Sequence, residues 1–142
     1  MSKYDLVMSI PELQAYVDEV FPESRQNHFS VEAMSPGKMT VGMEIKEWHM
    51  RPGGTVSGPA MFALADCAAY FITLAHVGKV ALAVTTNLNI NFVSKPVGDL
   101  RAEATLLKLG KRLAVCEVSI FSKAGDNLVA HATATYSIPE NR

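Results

Sequence analysis

The sequence predicts an α+β fold in which a long central helix is wrapped by a curved antiparallel sheet of about six strands, with a short helix before it. Two features lead to this prediction. Residues 59–77 are almost entirely apolar, and a helix that is apolar on every side must be enclosed by other structure. The flanking segments alternate apolar and polar residues and are separated by short breaks, which is typical of consecutive antiparallel strands.

The composition indicates one globular domain without a nucleic-acid or membrane partner. The chain has 142 residues, of which 49% are hydrophobic and 19% are charged, and its net charge is −1. We expect a single domain over residues 1–142, with an N-terminal helical extension over residues 1–27. The sequence has no block of basic residues of the kind that binds nucleic acid. Residues 59–77 approach membrane-spanning length, but the carboxylate of Asp66 in their middle favours a buried helix.

The cysteines and the first residues indicate a cytoplasmic protein. Cys67 and Cys116 each lie in an apolar run. Two cysteines are too few for a disulfide framework, so both are expected to be core thiols in a reducing compartment. The first residues lack the apolar core and cleavage site of a signal peptide.

The element boundaries follow from caps, turns and periodicity. The long helix is expected to begin after Ser57, with Pro59 in its first turn, and to stop at Gly78. The other expected elements are a helix capped by Ser9 and ended by Phe21-Pro22, a hairpin from Phe29 to Ile45, a loop from Trp48 to Val56, and strands over 82–92, 100–109, 113–121 and 128–138.

Asp66 is the residue on which the functional prediction depends, because it is the only charge in about four turns of apolar helix. Burying a lone carboxylate costs several kcal/mol unless a partner compensates, so such residues are concentrated at functional sites. Tyr70 and Thr73 follow at i+4 and i+7 and are expected to form a polar stripe with it. The alternative is a structural carboxylate that meets backbone amides or a cation of a partner chain.

Gly53, Gly54 and Gly58 precede this helix. A helix N-terminus offers free N–H groups and a positive dipole end, which suits a carbonyl oxygen that gains charge. The alternative is that the glycines only form a tight turn.

The histidines and one basic cluster give weaker indications of function. The histidines His28, His49, His76 and His131 lack the spacing of metal ligands, and we expect no metal and no cofactor. A cluster of Lys108, Lys111 and Arg112 is more often a solvated hairpin end than a contact for the phosphates of a nucleotide-bearing ligand.

Together these residues resemble the PaaI-like branch of the hot-dog thioesterase superfamily. The segment Gly54 to Gly58, followed by Leu64-Ala65-Asp66, is similar to the family element G-T-x-H-G-G-x4-L-x-D. The other matching segments are Asn89-Ile90-Asn91-Phe92, Lys95-Pro96, Leu109-Gly110-Lys111-Arg112 and Leu128 to Thr133. The resemblance covers the chain from Met39 to Pro139.

The resemblance implies a hot-dog fold and an acyl-CoA thioesterase. It implies subunits that join their sheets in a dimer or a dimer of dimers, with active sites at the interface. It implies Asp66 as general base or nucleophile, the Gly58 backbone N–H as the group that polarises the thioester carbonyl, and Thr85 as a hydroxyl that helps to position water. The residues expected to contact substrate are Arg51, Gly54, Ser57, Tyr70, Lys111 and Arg112.

Three positions differ from the family pattern. Ser57 replaces a histidine, Pro59 replaces the second glycine, and Arg51 replaces an amide side chain. A guanidinium at position 51 could bind a substrate carboxylate or pair with Asp66. A non-catalytic acyl-CoA-binding protein therefore stays open as an alternative. A hydratase or dehydratase commonly needs a histidine, and the helix-start element has none beyond His49, which disfavours that activity.

Overall fold

The computed structural model describes residues 4–140 and has one long helix packed against a six-stranded antiparallel sheet, as predicted. The helices are α1 (Ile10–Val20), α2 (Glu23–Gln26) and α3 (Gly58–Val77), and the strands are β1 (Phe29–Ser35), β2 (Lys38–Met43), β3 (Met50–Arg51), β4 (Thr55–Val56), β5 (Val84–Phe92), β6 (Leu100–Leu109), β7 (Leu113–Ser122) and β8 (Leu128–Ser137). The sheet order is β1-β2-β6-β7-β8-β5.

The segment predicted as a loop between Trp48 and Val56 is partly regular, which corrects that prediction. A short 3₁₀ turn leads into β3, and β3 pairs with β4 as a two-stranded ribbon in which Arg51 faces Thr55. Gly53 and Gly54 have φ values of +100° and +79°. Glycine adopts these angles without a Cβ clash, so the ribbon can turn within three residues.

Helix α3 forms the centre of the molecule. Ser57 Oγ accepts the N–H of Ala60 at 3.2 Å at its start, and Gly78, with φ of +99°, ends it. The helix is long and apolar enough to cross a bilayer, but most of it is buried inside the protein. It packs against β2, β5, β6, β7 and β8. This agrees with the expected core helix.

Several of the buried residues on α3 and on the sheet are alanines. Buried alanines of the sheet are Ala102, Ala104, Ala114, Ala130, Ala132 and Ala134, and those of the helix include Ala65, Ala68, Ala69 and Ala75. These methyl groups let the two backbones approach closely. In β8 the inward row of alanines ends at Tyr136, which is 4% exposed.

His76 joins the end of α3 to the turn between β1 and β2. Its Nε2 accepts the N–H of Gly37 at 2.9 Å, and its Nδ1 lies 2.8 Å from the carbonyl oxygen of Ile72. These contacts require a neutral ring that carries its proton on Nδ1. Burial lowers the pKa of His76 below its usual value, against a smaller opposite effect of the Ile72 carbonyl.

We expect His76 to make the fold less stable in acid. Since its folded pKa is lowered, the unfolded chain binds the proton first as the pH falls below about 6.5, and the free energy of unfolding decreases. Urea unfolding at pH 7.5 and pH 5, at one protein concentration, measures this. The wild type should lose more stability between the two pH values than His76→Gln, whose amide does not titrate. An equal loss in both proteins would contradict the assignment.

The two edges of the sheet differ. At the β1 edge, α1 lies alongside, and the side chain of Gln14 accepts the N–H of Val31 at 3.1 Å. At the other edge β5 pairs only with β8. Strand β5 contains no charged residue, and only Leu88 and Ile90 are half-buried. An uncharged, exposed edge is uncommon, because natural proteins usually protect such edges.

Candidate active site

Asp66 lies on the face of α3 that meets the ends of β5 and β8, and it is half-buried. Its Oδ1 accepts the hydroxyl of Thr85 at 2.7 Å and the phenol of Tyr136 at 2.6 Å. The carboxylate is thus compensated by two neutral donors rather than by a cation or backbone amides. These two hydroxyl donors fix the position of one carboxylate oxygen.

A cleft of about 320 Å³ opens beside this carboxylate. Its lining is mainly apolar and consists of Val20, Phe21, Asp66, Cys67, Tyr70, Ala81, Ala83, Val84, Thr85 and Tyr136. The phenol of Tyr70 donates to the carbonyl oxygen of Ala81 at 2.9 Å. The cleft has room for an apolar segment of a substrate beside the carboxylate.

The expected polar stripe on α3 is only partly present. Asp66 and Tyr70 both reach the cleft. Thr73 is fully buried, and its hydroxyl donates to the carbonyl oxygen of Ala69, one turn earlier, at 2.8 Å. A threonine hydroxyl can be satisfied by its own helix in this way, so Thr73 is a core residue.

A β-bulge brings Thr85 to Asp66. The period-two alternation of residues 82–92 in the sequence predicts Thr85 on the same face as Asn87, Asn89 and Asn91. The pairing with β8 shifts register between Thr85 and Asn87, and such a bulge re-aims the side chain beside it. Thr85 therefore points inward, which corrects the expected alternation.

Tyr136 was not singled out as a site residue by the sequence. It belongs to the inward row of β8, where the preceding members Ala130, Ala132 and Ala134 are small and apolar. The only feature of the sequence that distinguishes Tyr136 is that a phenol ends a row of small apolar residues. The sequence does not reveal that this phenol reaches Asp66.

The groups around Asp66 stay neutral near physiological pH. Burial raises the pKa of Tyr136 far above its usual range, and the charge of Asp66 raises it further. Burial also raises the pKa of Tyr70 to about 12 and that of the Cys67 thiol well above its usual range. Tyr136 is therefore a permanent hydrogen-bond donor to the carboxylate.

The start of α3 offers a single free donor. In the first turn, Pro59 has no N–H, Ala60 donates to Ser57 Oγ, and Met61 donates to the Ser57 carbonyl at 3.2 Å. The Gly58 N–H has no acceptor within residues 4–140. This N–H is free to bind an oxygen that carries negative charge.

A second cleft, of about 400 Å³, adjoins Gly58. It is lined by Arg51, Thr55, Val56, Gly58, Met61, Phe92, Val93, Ser94, Lys95 and Pro96. Neither Arg51 nor Lys95 forms an ion pair within the described chain, and the lining contains no acidic residue. The cleft is therefore positively charged.

The two clefts share no lining residue. Gly58 and Asp66 are about 12 Å apart along the axis of α3, at 1.5 Å per residue. Within one chain the free N–H and the carboxylate thus belong to different clefts.

A sequence model described as "Thioesterase superfamily" matches residues 53–129. The chain belongs to the thioesterase superfamily. It is 31% identical to human acyl-coenzyme A thioesterase 13 over 103 residues, which cover 71% of this chain and 73% of that protein.

Solved structures give the same family and fold. A protein from Silicibacter sp. TM1040, described as a candidate thioesterase, is 49% identical, with a TM-score of 0.88 over 96% of this chain and 95% of that one. A variant of the phenylacetic acid degradation protein PaaI from Thermus thermophilus is 25% identical, with a TM-score of 0.72 over 83% of this chain and 99% of that one. The hot-dog fold and the expected class of thioester hydrolase are confirmed.

Not all residues that were expected to contact substrate line a cleft in this thioesterase-superfamily member. Arg51 and Tyr70 do. Ser57 caps α3, and Gly54 forms the turn of the β3–β4 ribbon. Lys111 and Arg112 lie at the turn between β6 and β7, outside both linings, where Arg112 pairs with Glu140 at 3.6 Å. A substrate contact by these two residues stays a prediction.

Within residues 4–140 no three His, Cys, Asp or Glu residues are grouped so that they could hold a metal ion.

Proposed function

We propose that this chain hydrolyses acyl-CoA thioesters at a site formed by two copies of the chain. Asp66 of one copy would act together with the Gly58 N–H of the other. The observation that carries the proposal is the carboxylate of Asp66, held by two hydroxyl donors at the wall of an open, mainly apolar cleft. Similarity to an acyl-coenzyme A thioesterase supports CoA esters as the substrate class.

Strand β5 supports the assembly. Its free edge could pair antiparallel with β5 of a second copy, at about 4.8 Å between strands. Thr85, near the start of β5, contacts Asp66, whereas Phe92, at its end, lies where a Cβ on Gly58 would meet its ring at 3.4 Å. A two-fold pairing sets the start of one strand beside the end of the other. Each Asp66 cleft would then adjoin the partner's Gly58 cleft.

The reaction follows from these groups. The thioester carbonyl oxygen accepts the Gly58 N–H, which stabilises the negative charge that develops there. Asp66 takes a proton from a water molecule while the water oxygen bonds to the carbonyl carbon. The C–S bond then breaks, and the proton passes from Asp66 to the leaving sulfur, so that a thiol and a carboxylic acid are released. In the alternative, Asp66 attacks the carbon itself and expels the thiolate, and water then hydrolyses the resulting anhydride, which supplies the thiolate with its proton and regenerates Asp66. Both schemes need the ionised carboxylate.

The positive cleft suggests which part of the ester binds near Gly58. We propose that Arg51 and Lys95 hold an anionic group of the substrate, since both cations lack a partner in the described chain and no carboxylate lines their cleft. A guanidinium binds a carboxylate in a bidentate manner. An acyl group that carries a free carboxylate at its far end would bind Arg51 directly.

Binding without turnover is the second candidate. It is favoured by Pro59, which leaves the first turn of α3 with one free N–H instead of two. Both candidates bind the ester, but only an enzyme releases the thiol.

A thiol-release assay separates the two candidates. We expect hydrolysis of at least one class among short, medium, long, aryl and ω-carboxyacyl CoA esters. Arg51→Gln should lower kcat/KM for ω-carboxyacyl esters by about tenfold or more, with little change for neutral esters, because it removes one charge-assisted contact. Calorimetric binding of every class without thiol release would instead support the binding protein. An equal effect of Arg51→Gln on all esters would contradict its role in selection.

We further propose that the protein works in the cytoplasm. Both cysteines are free and buried, which suits a reducing compartment.

A further inference from the structure

We infer that Tyr136 is a positioning residue. Its phenol and the hydroxyl of Thr85 both donate to Oδ1 of Asp66, which leaves Oδ2 as the reacting atom. This inference rests on the proposed hydrolysis, in which Asp66 takes a proton or attacks the carbonyl carbon.

The hydrogen bonds distinguish the two carboxylate oxygens. Oδ1 accepts the Tyr136 phenol at 2.6 Å and the Thr85 hydroxyl at 2.7 Å. A carboxylate oxygen has two lone pairs in its plane, so these two donors fill it. Oδ2 has no hydrogen-bond partner within residues 4–140. It is the oxygen that remains for a water proton or for the acyl carbon.

The phenol of Tyr136 is held in place by its surroundings. The ring is buried, and its centroid lies 5.9 Å from that of Tyr70 at an angle of 30°. Its oxygen also lies 3.0 Å from the backbone carbonyl oxygen of Asp66. The phenol therefore contacts both the side chain and the backbone of one residue, which restricts the rotation of the carboxylate about its bond to Cβ. A fixed Oδ2 direction favours a productive attack geometry.

The neighbouring groups make this role measurable. The ionisable groups near Asp66 on α3, β7 and β8 are Cys67, Tyr70, Cys116 and Tyr136. Burial raises the pKa of each of them, to about 12 for Tyr70 and Cys116. All four stay protonated across neutral pH, so none of them titrates on the acid limb of the pH profile. Removing a donor to an ionised carboxylate destabilises its charged form.

The test compares Tyr136→Phe with Tyr70→Phe. Each substitution removes one phenol oxygen from the same cleft, but the Tyr70 oxygen bonds to Ala81 and not to Asp66. We expect Tyr136→Phe to move the acid limb of kcat/KM to higher pH, because the variant loses one hydrogen bond to a charged group. We also expect kcat on the plateau to fall by about tenfold, since a positioned proton transfer is worth about 10²–10⁴-fold in total. Tyr70→Phe should leave the acid limb in place.

A second pair of variants covers the possibility that Tyr136→Phe does not fold. Thr85→Val removes the other donor to Oδ1 and should also raise the acid limb, whereas Thr85→Ser keeps a hydroxyl and should restore it. A lower kcat with an unchanged acid limb in both Tyr136→Phe and Thr85→Val would show that the two side chains contribute only to packing. That result would overturn the inference.

Carbon-13 NMR separates this inference from the proposed function. The carboxyl resonance of Asp66 can be titrated without turnover, and its midpoint should rise in Tyr136→Phe but not in Tyr70→Phe. A wild type that releases no thiol would reject the proposed hydrolysis, while this titration would still decide whether Tyr136 stabilises the charged carboxylate. Equal midpoints in wild type and Tyr136→Phe would reject the role of Tyr136.

Discussion

Asp66→Asn is expected to lower kcat for thioester hydrolysis by at least ~10²-fold, because positioned proton transfer is worth about 10²–10⁴-fold and an amide neither takes a proton nor attacks a carbonyl. The loss applies to both schemes, since each needs the ionised carboxylate. Thiol release under saturating substrate, with the wild type beside the variant, measures it.

The fold of Asp66→Asn should stay intact. The amide has nearly the same shape, and its oxygen can still accept the hydroxyls of Thr85 and Tyr136. Asp126→Asn is the matched control, because that carboxylate is fully exposed and, among the residues that the structure describes, pairs with Arg101 at 3.3 Å. It should keep its activity. Near-normal turnover by Asp66→Asn, with circular dichroism and melting like those of the wild type, would remove Asp66 from the mechanism.

Two inactive variants are expected to restore activity when they share a dimer. Asp66→Asn removes the carboxylate, and Gly58→Leu fills the cleft at the start of α3, where a Cβ already meets Phe92 at 3.4 Å. In a mixed dimer one of the two composite sites carries both substitutions and the other carries neither. Random pairing makes about half of the dimers mixed, so about a quarter of all sites should be active.

Co-expression with two affinity tags provides the mixed dimers, and their purification shows that both variants fold. The control joins Asp66→Asn with the double variant Asp66→Asn/Gly58→Leu, which leaves no complete site in any pairing. If the active site lay within one chain, neither mixture would regain activity. No recovery in isolated mixed dimers of the two single variants would therefore contradict the shared site.

Much of the fold could be predicted because its signals are local. Serine commonly caps the start of a helix and glycine its end. In the structure α3 begins directly after Ser57 and ends directly before Gly78. Period-two alternation located the six strands of the sheet to within about two residues, the usual uncertainty of element ends. Asp66 could be singled out because a charge in an apolar helix is visible in any sequence.

The partners of Asp66 were harder to predict from the residues. Thr85 turns inward only because β5 has a bulge against β8, and a bulge arises from pairing with a distant strand. Tyr136 lies 70 positions from Asp66 along the chain. Thr73 has the spacing of a site residue on α3, but it bonds to its own helix. Each case depends on how the sheet meets the helix in three dimensions.

The methyl layer between α3 and the sheet has a consequence for how this protein can change. The hydroxyl of Tyr136 on β8 bonds to Asp66 on α3, and the buried alanines precede Tyr136 in the same strand. A larger side chain at Ala132 would have to be accommodated by moving the helix outward, since interiors are already close-packed. A displacement of about 1 Å would be enough to separate a phenol from its acceptor at 2.6 Å. Under the proposed mechanism, a larger side chain in the interior would therefore lower turnover without contacting the substrate.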